Sequence, residues 1–379
     1  MIRVCYLLLS RTYAMHLYTA DLAQGVLDAG GEAHLITVAR HPAGLYDPRV
    51  IVHPVWTGQG RTLELGPGLH GGIGQVLEAV QAVNPDVVHI TGPQLYTPWI
   101  MRRLRSRGFP AVHTLHDLDP HPGAGYGPLL YLWNRAAIAD AGAVLVHGER
   151  YRRRLLSSGL PEERAVYLPL LHGFLDHAHA LGLARELAAP APPSPQPPAS
   201  PTALFFGRVG RYKGIDVLSQ AWSALPARPA NWRLVIAGQS EGGMDWPSAG
   251  ESVDRRDRLV LDDEAIDLFR QCSVLVLPYI GATQSALIAA AYSFGRPVIV
   301  TDSGALAEYV VPGETGWVVP EGDAIALAGA LREALADPEG CQRMGAAGRE
   351  WYDGQRRNER AGLLTMYSRV AVARAGGRS

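Results

Sequence analysis

The chain has 379 residues but only three cysteines, Cys5, Cys272 and Cys341. Thiols so few and so widely spaced do not make the disulfide framework of a small secreted scaffold. Cys5 and Cys272 lie in apolar strand or helix contexts, so a reduced, cytoplasmic protein is expected. Charge of one sign is also missing. The 35 Lys and Arg against 36 Asp and Glu leave a formal net charge of −1, so no global field draws the chain to nucleic acid or to an anionic membrane. No nucleic-acid partner is expected. No apolar run reaches the roughly 18 residues that a spanning helix needs. The short apolar start, Met1 to Leu9, lacks the longer core and small-residue cleavage site of a signal peptide and reads as a first β-strand.

What is present is enough apolar material, 47% of residues, for two domains with cores of their own. In the first half, apolar strands at Arg3–Leu9, Ala33–Thr37, Val50–His53, Val87–Ile90, Ala111–Thr114, Ala143–Val146 and Ala165–Leu168 alternate with helical stretches. Those stretches are Tyr13–Ala29, Ile73–Val83, Tyr96–Ser106, Pro128–Ala141 and Arg150–Ser157. This rhythm specifies α/β architecture with parallel, doubly wound sheets. Leu175 to Leu187 reads as a helix, and the Pro-rich run at 189–201 as an extended linker. The expected organisation is a first Rossmann-like domain at 1–175, a linker at 176–201, a second Rossmann-like domain at 202–355, and a terminal helix at 356–379. Two helices are expected near the end, Gln342–Asp353 and Arg357–Ala373.

The most informative stretch is Phe205-Phe206-Gly207-Arg208-Val209-Gly210-Arg211-Tyr212-Lys213-Gly214. An apolar strand stops at glycine, two cations sit in a glycine-rich loop, and a helical pattern from Ile215 to Leu225 follows. Glycines let the backbone approach a ligand, the helix start carries partial positive charge, and fixed cations neutralise an anion. Neither a Walker A loop nor G-x-G-x-x-G is present in this run. The alternative is a pair of solvated surface cations. A second phosphate-like element strengthens the ligand reading. There the buried strand Val274 to Leu277 leads into Pro278-Tyr279-Ile280-Gly281-Ala282-Thr283-Gln284-Ser285-Ala286, and then into an uncharged helix, Leu287 to Phe294, that must be buried all round. The amides of Gln284, Ser285 and Ala286 are candidate anion donors. Gly295-Arg296-Pro297-Val298-Ile299, Ser303 to Glu308 and Gly313-Glu314-Thr315-Gly316 come next.

Taken in order, G-R-x4-K-G, L-V-I-A-G, a strand ending in P-Y, A-x-x-x-G-R-P-V-I, G-x-x-x-E and G-x-T-G resemble the C-terminal half of a retaining glycosyltransferase of family 4. The likeness is dense over residues 202–345; the first half matches only in its βα rhythm. It implies the GT-B fold, two facing Rossmann-like domains with parallel sheets. It implies that Arg208 and Lys213 bind the diphosphate of a nucleoside diphosphate sugar, with Gly207, Thr283, Gln284, Ser285, Ala286, Leu261 and Glu308 as further donor-binding candidates. It also implies transfer of a hexose to a hydroxyl acceptor: a polysaccharide, a lipid-linked molecule or a natural product. The paired cations would stabilise the leaving diphosphate and take the place of a divalent metal, so neither a metal nor another cofactor is expected. One departure is large. The two glutamates usual in the family fall at Ala282 and Ala290. Their loss raises an alternative, a non-catalytic sugar-nucleotide-binding or scaffold relative.

Several other residues carry candidate chemistry. Val112-His113-Thr114-Leu115-His116-Asp117-Leu118-Asp119-Pro120-His121 follows a strand, and His116 beside Asp117 best fits the histidine that the family places near donor sugar or acceptor. A structural role and a zinc site are the alternatives; the spacing matches no standard zinc motif. His16 is a candidate acceptor contact. Asp262-Asp263-Glu264 reads as an Asp N-cap with an acidic first turn rather than a metal motif. His172-Gly173 marks the domain boundary, and Asp176 to His179 reads as solvated helix. The runs Arg102, Arg103, Arg105, Arg107 and Arg150, Arg152, Arg153, Arg154 read as solvated helix faces, with peripheral docking at the inner membrane face as the alternative.

Overall fold

The computed structural model describes residues 1–56, 68–118, 127–175, 179–180, 182–183, 200–225, 229–241 and 252–376. Asp119, Pro120, His121, Asp176, His177, Ala178 and the Pro-rich residues 189–199 lie outside these. So does most of the helix expected at Leu175 to Leu187.

The chain forms two compact units. One holds Met1–Pro120, Ala124–Ala180 and Arg357–Ser379; the other is built from Leu181–Arg356. Each carries one parallel sheet. The strands of the first are β1 (Arg3–Leu8), β2 (Glu32–Val38), β3 (Ile51–Trp56), β4 (Val87–Ile90), β5 (Ala111–Thr114), β6 (Ala143–Val146) and β7 (Ala165–Tyr167), in the order β3-β2-β1-β4-β5-β6-β7. The expected α/β, doubly wound fold is the one observed. Strands β4, β5 and β6 are buried along their whole length, so they read in sequence as unbroken apolar-rich runs. β3 runs further than expected, past Pro54. Proline is tolerated there because β3 is an edge strand and needs no ladder donor on its open side.

The second sheet has the order β10-β9-β8-β11-β12-β13, from β8 (Thr202–Phe206), β9 (Arg233–Ala237), β10 (Val253–Arg256), β11 (Val274–Leu277), β12 (Val298–Thr301) and β13 (Gly316–Val319). Every pairing is parallel. The connection order reverses between β8 and β11. In such sheets ligands bind beyond the carboxyl ends of the strands at that switch point.

The two expected terminal helices are one, Pro338–Gly376, of 39 residues. Gly354, where the break was expected, costs a helix interior about 1 kcal/mol. Packing on both sides of it outweighs that cost. Trp351 meets the rings of Tyr292 and Tyr309 before it, and Leu363, Met366 and Tyr367 are buried after it. Residues from Arg357 onward belong to the first unit, where Arg360 donates to the Asp21 carbonyl at 2.6 Å and carboxylate at 3.1 Å.

Candidate active site

Strand β8 ends at Gly207, whose φ of 110° is closed to most side chains. Gly207 donates its N–H to Ala237 at the end of β9 (2.9 Å). Val209 N–H then bonds Gln239 O, and Glu241 N–H returns to Val209 O, each at 2.9 Å. This small ladder beyond the sheet holds the backbone on both sides of Arg208. The Arg208 guanidinium is exposed, 3.5 Å from the Glu241 carboxylate, and an exposed pair of that kind contributes little on its own. The chain then makes a 3-10 turn, Arg211–Lys213. Gly214 follows with φ 66°, its backbone packed so tightly on the Pro278 carbonyl that a Cβ would overlap it. The helix Ile215–Ser223 starts there. Lys213 is half-buried, and its ammonium lies 3.7 Å from the centre of the Tyr279 ring and 5.1 Å from that of Tyr212. Burial pulls its pKa down to about 8. Arg208 pushes the same way, against Tyr212 and Glu241.

The loop after β11 is tied to the first loop and to β12. Ile280 N–H donates to Tyr212 O (2.7 Å), Thr301 Oγ1 donates to Tyr279 O (2.7 Å), and Ala282 N–H donates to Ser303 Oγ (2.9 Å). Thr283 and Ser285 are buried. Ser285 Oγ accepts the Leu287 N–H at 3.4 Å and lies 3.4 Å from the Tyr279 hydroxyl. Gln284 and Ala286 are half-buried. The helix that follows, Leu287–Ser293, is only 7 residues long, so its dipole adds little to the side chains and amides of the turn. Ala282 and Ala290 are both buried.

The structure thus brings Gly207, Arg208 and Lys213 together with the Tyr279–Ser285 loop beyond the carboxyl ends of the central strands β8 and β11. The other candidates are less central. Leu261 is exposed, and its carbonyl opens the helix Asp262–Gln271 by accepting the Ala265 N–H. Glu308 is half-buried on a 3-10 turn, Leu306–Tyr309. The N-cap of Asp262–Gln271 is Leu261 rather than an aspartate. The acids fall one position later, in the first turn, where Glu264 accepts from Arg256 (2.8 Å) and Arg258 (2.6 Å). Tyr279, the closest aromatic partner of Lys213, was not among the sequence candidates.

In the first unit, His116 is buried just past β5. Its Nε2–H donates to Thr91 O (2.8 Å), leaving Nδ1 as the basic nitrogen. Burial lowers its pKa, against Thr91 O and Asp117. Tyr18 makes T-shaped contacts with the rings of His116 (5.1 Å), His147 (5.2 Å) and His172 (5.6 Å). His113 is part of β5 itself, buried against Trp133, so it does not lie past the strand with His116. His16 is fully buried, with Nδ1 on Tyr46 OH (2.6 Å) and Nε2 on Ser10 O (2.7 Å). Both ring nitrogens are spent on structure, which removes it as an acceptor contact. His147 went unnoticed because it follows β6, a separate strand that the sheet places beside β5. Among the described residues, no group of three or more His, Cys, Asp or Glu is placed to hold a metal ion.

Two family models match. Residues 14–170 match "Glycosyl transferase 4-like domain", and residues 200–337 match "Glycosyl transferases group 1". D-inositol 3-phosphate glycosyltransferase of Xylanimonas cellulosilytica is 26% identical over 63% of this chain and 61% of its own length. Alpha-D-kanosaminyltransferase of Streptomyces kanamyceticus is 26% identical over 67% of this chain and 68% of its own. The match therefore spans less than two thirds of the first of these relatives. Among solved structures, sucrose-phosphate synthase of Thermosynechococcus elongatus superposes with a TM-score of 0.74 at 20% identity, covering 98% of this chain and 100% of that one. HepE of Anabaena in complex with UDP gives 0.71 at 15% identity, covering 99% and 100%. The fold is the GT-B architecture of two Rossmann-like domains, and both halves of the chain are similar to glycosyltransferase domains. More particularly, the likeness is to group 1 glycosyltransferases in the second half and to the glycosyltransferase 4-like domain in the first.

Proposed function

We propose that the protein transfers a hexose from a nucleoside diphosphate sugar to an acceptor hydroxyl, with retention at the anomeric carbon and without a metal ion. The observation that carries this reading is the Arg208 and Lys213 pair, set by positive-φ glycines at the switch point of the second sheet. The reaction breaks the bond from sugar carbon to phosphate oxygen and forms one to the acceptor oxygen, so negative charge grows on the departing diphosphate. Two cations fixed where that charge appears stabilise the transition state more than the ground state. The relatives named for kanosaminyl and inositol phosphate glycosyl transfer support a sugar donor, and UDP in the HepE structure supports a nucleoside diphosphate. Calorimetric titration with UDP, GDP and dTDP, followed by product analysis with the matching sugar nucleotide in EDTA, tests the reading. Binding, turnover and an α-configured product from an α-configured donor are expected. Binding without any turnover would favour the non-catalytic alternative that Ala282 and Ala290 suggest. An absolute need for magnesium or manganese would remove the metal-free mechanism.

Contact with a membrane face is the alternative reading of the two basic runs, whose first reading is solvated helix faces. Arg102, Arg103 and Arg107 are exposed on or beside the helix Thr97–Ser106, where Trp99 is exposed too. The second basic run is weaker support, because Arg152 already pairs with Glu149 (3.1 Å) and Glu162 (2.8 Å). Failure to co-sediment with phosphatidylglycerol vesicles at low salt would exclude it.

A further inference from the structure

The ammonium of Lys213 stands 3.7 Å from the Tyr279 ring centre. A cation at that height over an aromatic face is held by the ring quadrupole, most strongly where water is scarce. Tyr279 is fully buried and fixed from several directions. Its carbonyl accepts from Thr301 (2.7 Å), its neighbour Ile280 donates to Tyr212 O (2.7 Å), and Pro278 is packed on Gly214. These contacts fix the backbone that carries the ring, and the full burial of the ring holds it against Lys213. The Tyr279 hydroxyl lies 3.4 Å from Ser285 Oγ, in the turn that follows β11.

We propose that Tyr279 is the positioning residue of the diphosphate site: its ring is the platform that holds the Lys213 ammonium charged and aimed, and its hydroxyl links that platform to Ser285. The inference rests on the diphosphate reading above. It extends that reading to a residue chosen by shape and polarisability, which the cation motif alone does not contain. Burial opposes the ammonium, as does Arg208, while Glu241 and Tyr212 favour it. The ring adds to the favourable side. Without it, the charged form of Lys213 loses support and gives up its proton at lower pH.

The test is the pH profile of UDP affinity from pH 7 to 9.5 in wild type, Tyr279→Phe, Tyr279→Leu and Lys213→Ala. Wild-type affinity is expected to fall as pH passes about 8, where Lys213 deprotonates. Tyr279→Leu should bind about tenfold more weakly at pH 7.5, with the fall moved to lower pH, and Tyr279→Phe, which keeps the ring, should restore most of the loss. A Tyr279→Leu variant with wild-type affinity and profile overturns the role of Tyr279, provided that Lys213→Ala has lost affinity. If Lys213→Ala keeps full affinity, the diphosphate reading itself has failed. A second measurement avoids substitution at the buried ring. In protein labelled with ¹³C-lysine, the ε-CH₂ protons of Lys213, assigned through Lys213→Arg, should be shifted upfield by the Tyr279 ring current. Unshifted ε-protons overturn the proposal even if Tyr279→Leu does not fold.

Discussion

His89 and Tyr367 are 278 positions apart and share a 2.6 Å hydrogen bond between Nδ1 and the phenol oxygen, both fully buried. The bond belongs to a longer chain. Tyr367 OH donates to Tyr6 OH (3.3 Å), His89 Nε2 meets Thr114 Oγ1 (2.8 Å), and Thr114 Oγ1 meets Tyr18 OH (3.0 Å). One proton order runs through it: Tyr18 donates to Thr114, Thr114 to His89 Nε2, His89 Nδ1–H to Tyr367, and Tyr367 to Tyr6. The chain ends at Tyr18, the residue whose ring packs on His116, His147 and His172. The last helix is thus fastened through β4 and β5 to the shelf on which His116 rests.

His116→Ala should lower turnover far more than it lowers nucleoside diphosphate affinity. The expected phosphate-binding groups, Arg208 and Lys213, belong to the second unit and His116 to the first. The hypothesis follows from the position of His116 past β5, with one ring nitrogen fixed by Thr91 and the other left basic. Steady-state kinetics and calorimetry on the same preparation decide it, and a variant with wild-type turnover would take His116 out of the site.

Arg208→Ala and Lys213→Ala should each weaken UDP binding by about 1.5–3 kcal/mol, the range for hydrogen bonds to charged groups. Arg208 is already exposed beside Glu241, so little folding stability should be lost with it. Equal affinity in wild type and both variants would leave the glycine loop without its anion.

Acid should destabilise the first unit. Burial lowers the pKa of His16 and His113 to about 4 and that of His147 to about 3. In the unfolded chain each would take up a proton near 6.5. Below that value the unfolded state binds more protons, so the stability present above pH 6.5 is lost as pH falls toward 4. Each such histidine costs about 1.4 kcal/mol per pH unit in that window. Urea midpoints measured from pH 7.5 to 5 should fall once the pH drops below 6.5. A constant midpoint would mean that these rings are solvated or paired in a way the structure does not contain.

The fold was readable because strands buried in parallel sheets leave continuous apolar runs, as at Val87–Ile90 and Val274–Leu277. The cations of the glycine loop were readable because Arg208 and Lys213 lie five positions apart on one segment. Tyr279 was not, because it meets Lys213 only through the pairing of β8 with β11, a neighbourhood that chain order does not announce. The same holds for His147 beside His116, which depends on β5 lying next to β6. The unbroken terminal helix was hidden for another reason. Its glycine is a local signal, and the rings that outweigh it come from Tyr292 and Tyr309, far back in the chain.

The last prediction concerns Ala282 and Ala290. The family resemblance implies carboxylates at these two positions; the chain has two buried methyl groups there, so neither side chain can accept a hydrogen bond from a ribose or sugar hydroxyl. Donor affinity should then come mainly from the diphosphate and from neutral bonds at Thr283 and Ser285, each contributing about 0.5–1.5 kcal/mol net. Nucleoside diphosphate and sugar nucleotide should bind alike, and loss of the ribose 2′-hydroxyl should cost little, which keeps dTDP-sugars among the candidate donors. Calorimetry with UDP and 2′-deoxy-UDP measures this directly. A preference for the ribose form of about tenfold or more, near 1.4 kcal/mol, would overturn this reading of Ala290 and show that another residue accepts from the ribose. Glu308, half-buried on its 3-10 turn in the same unit, would be the first residue to change in locating it.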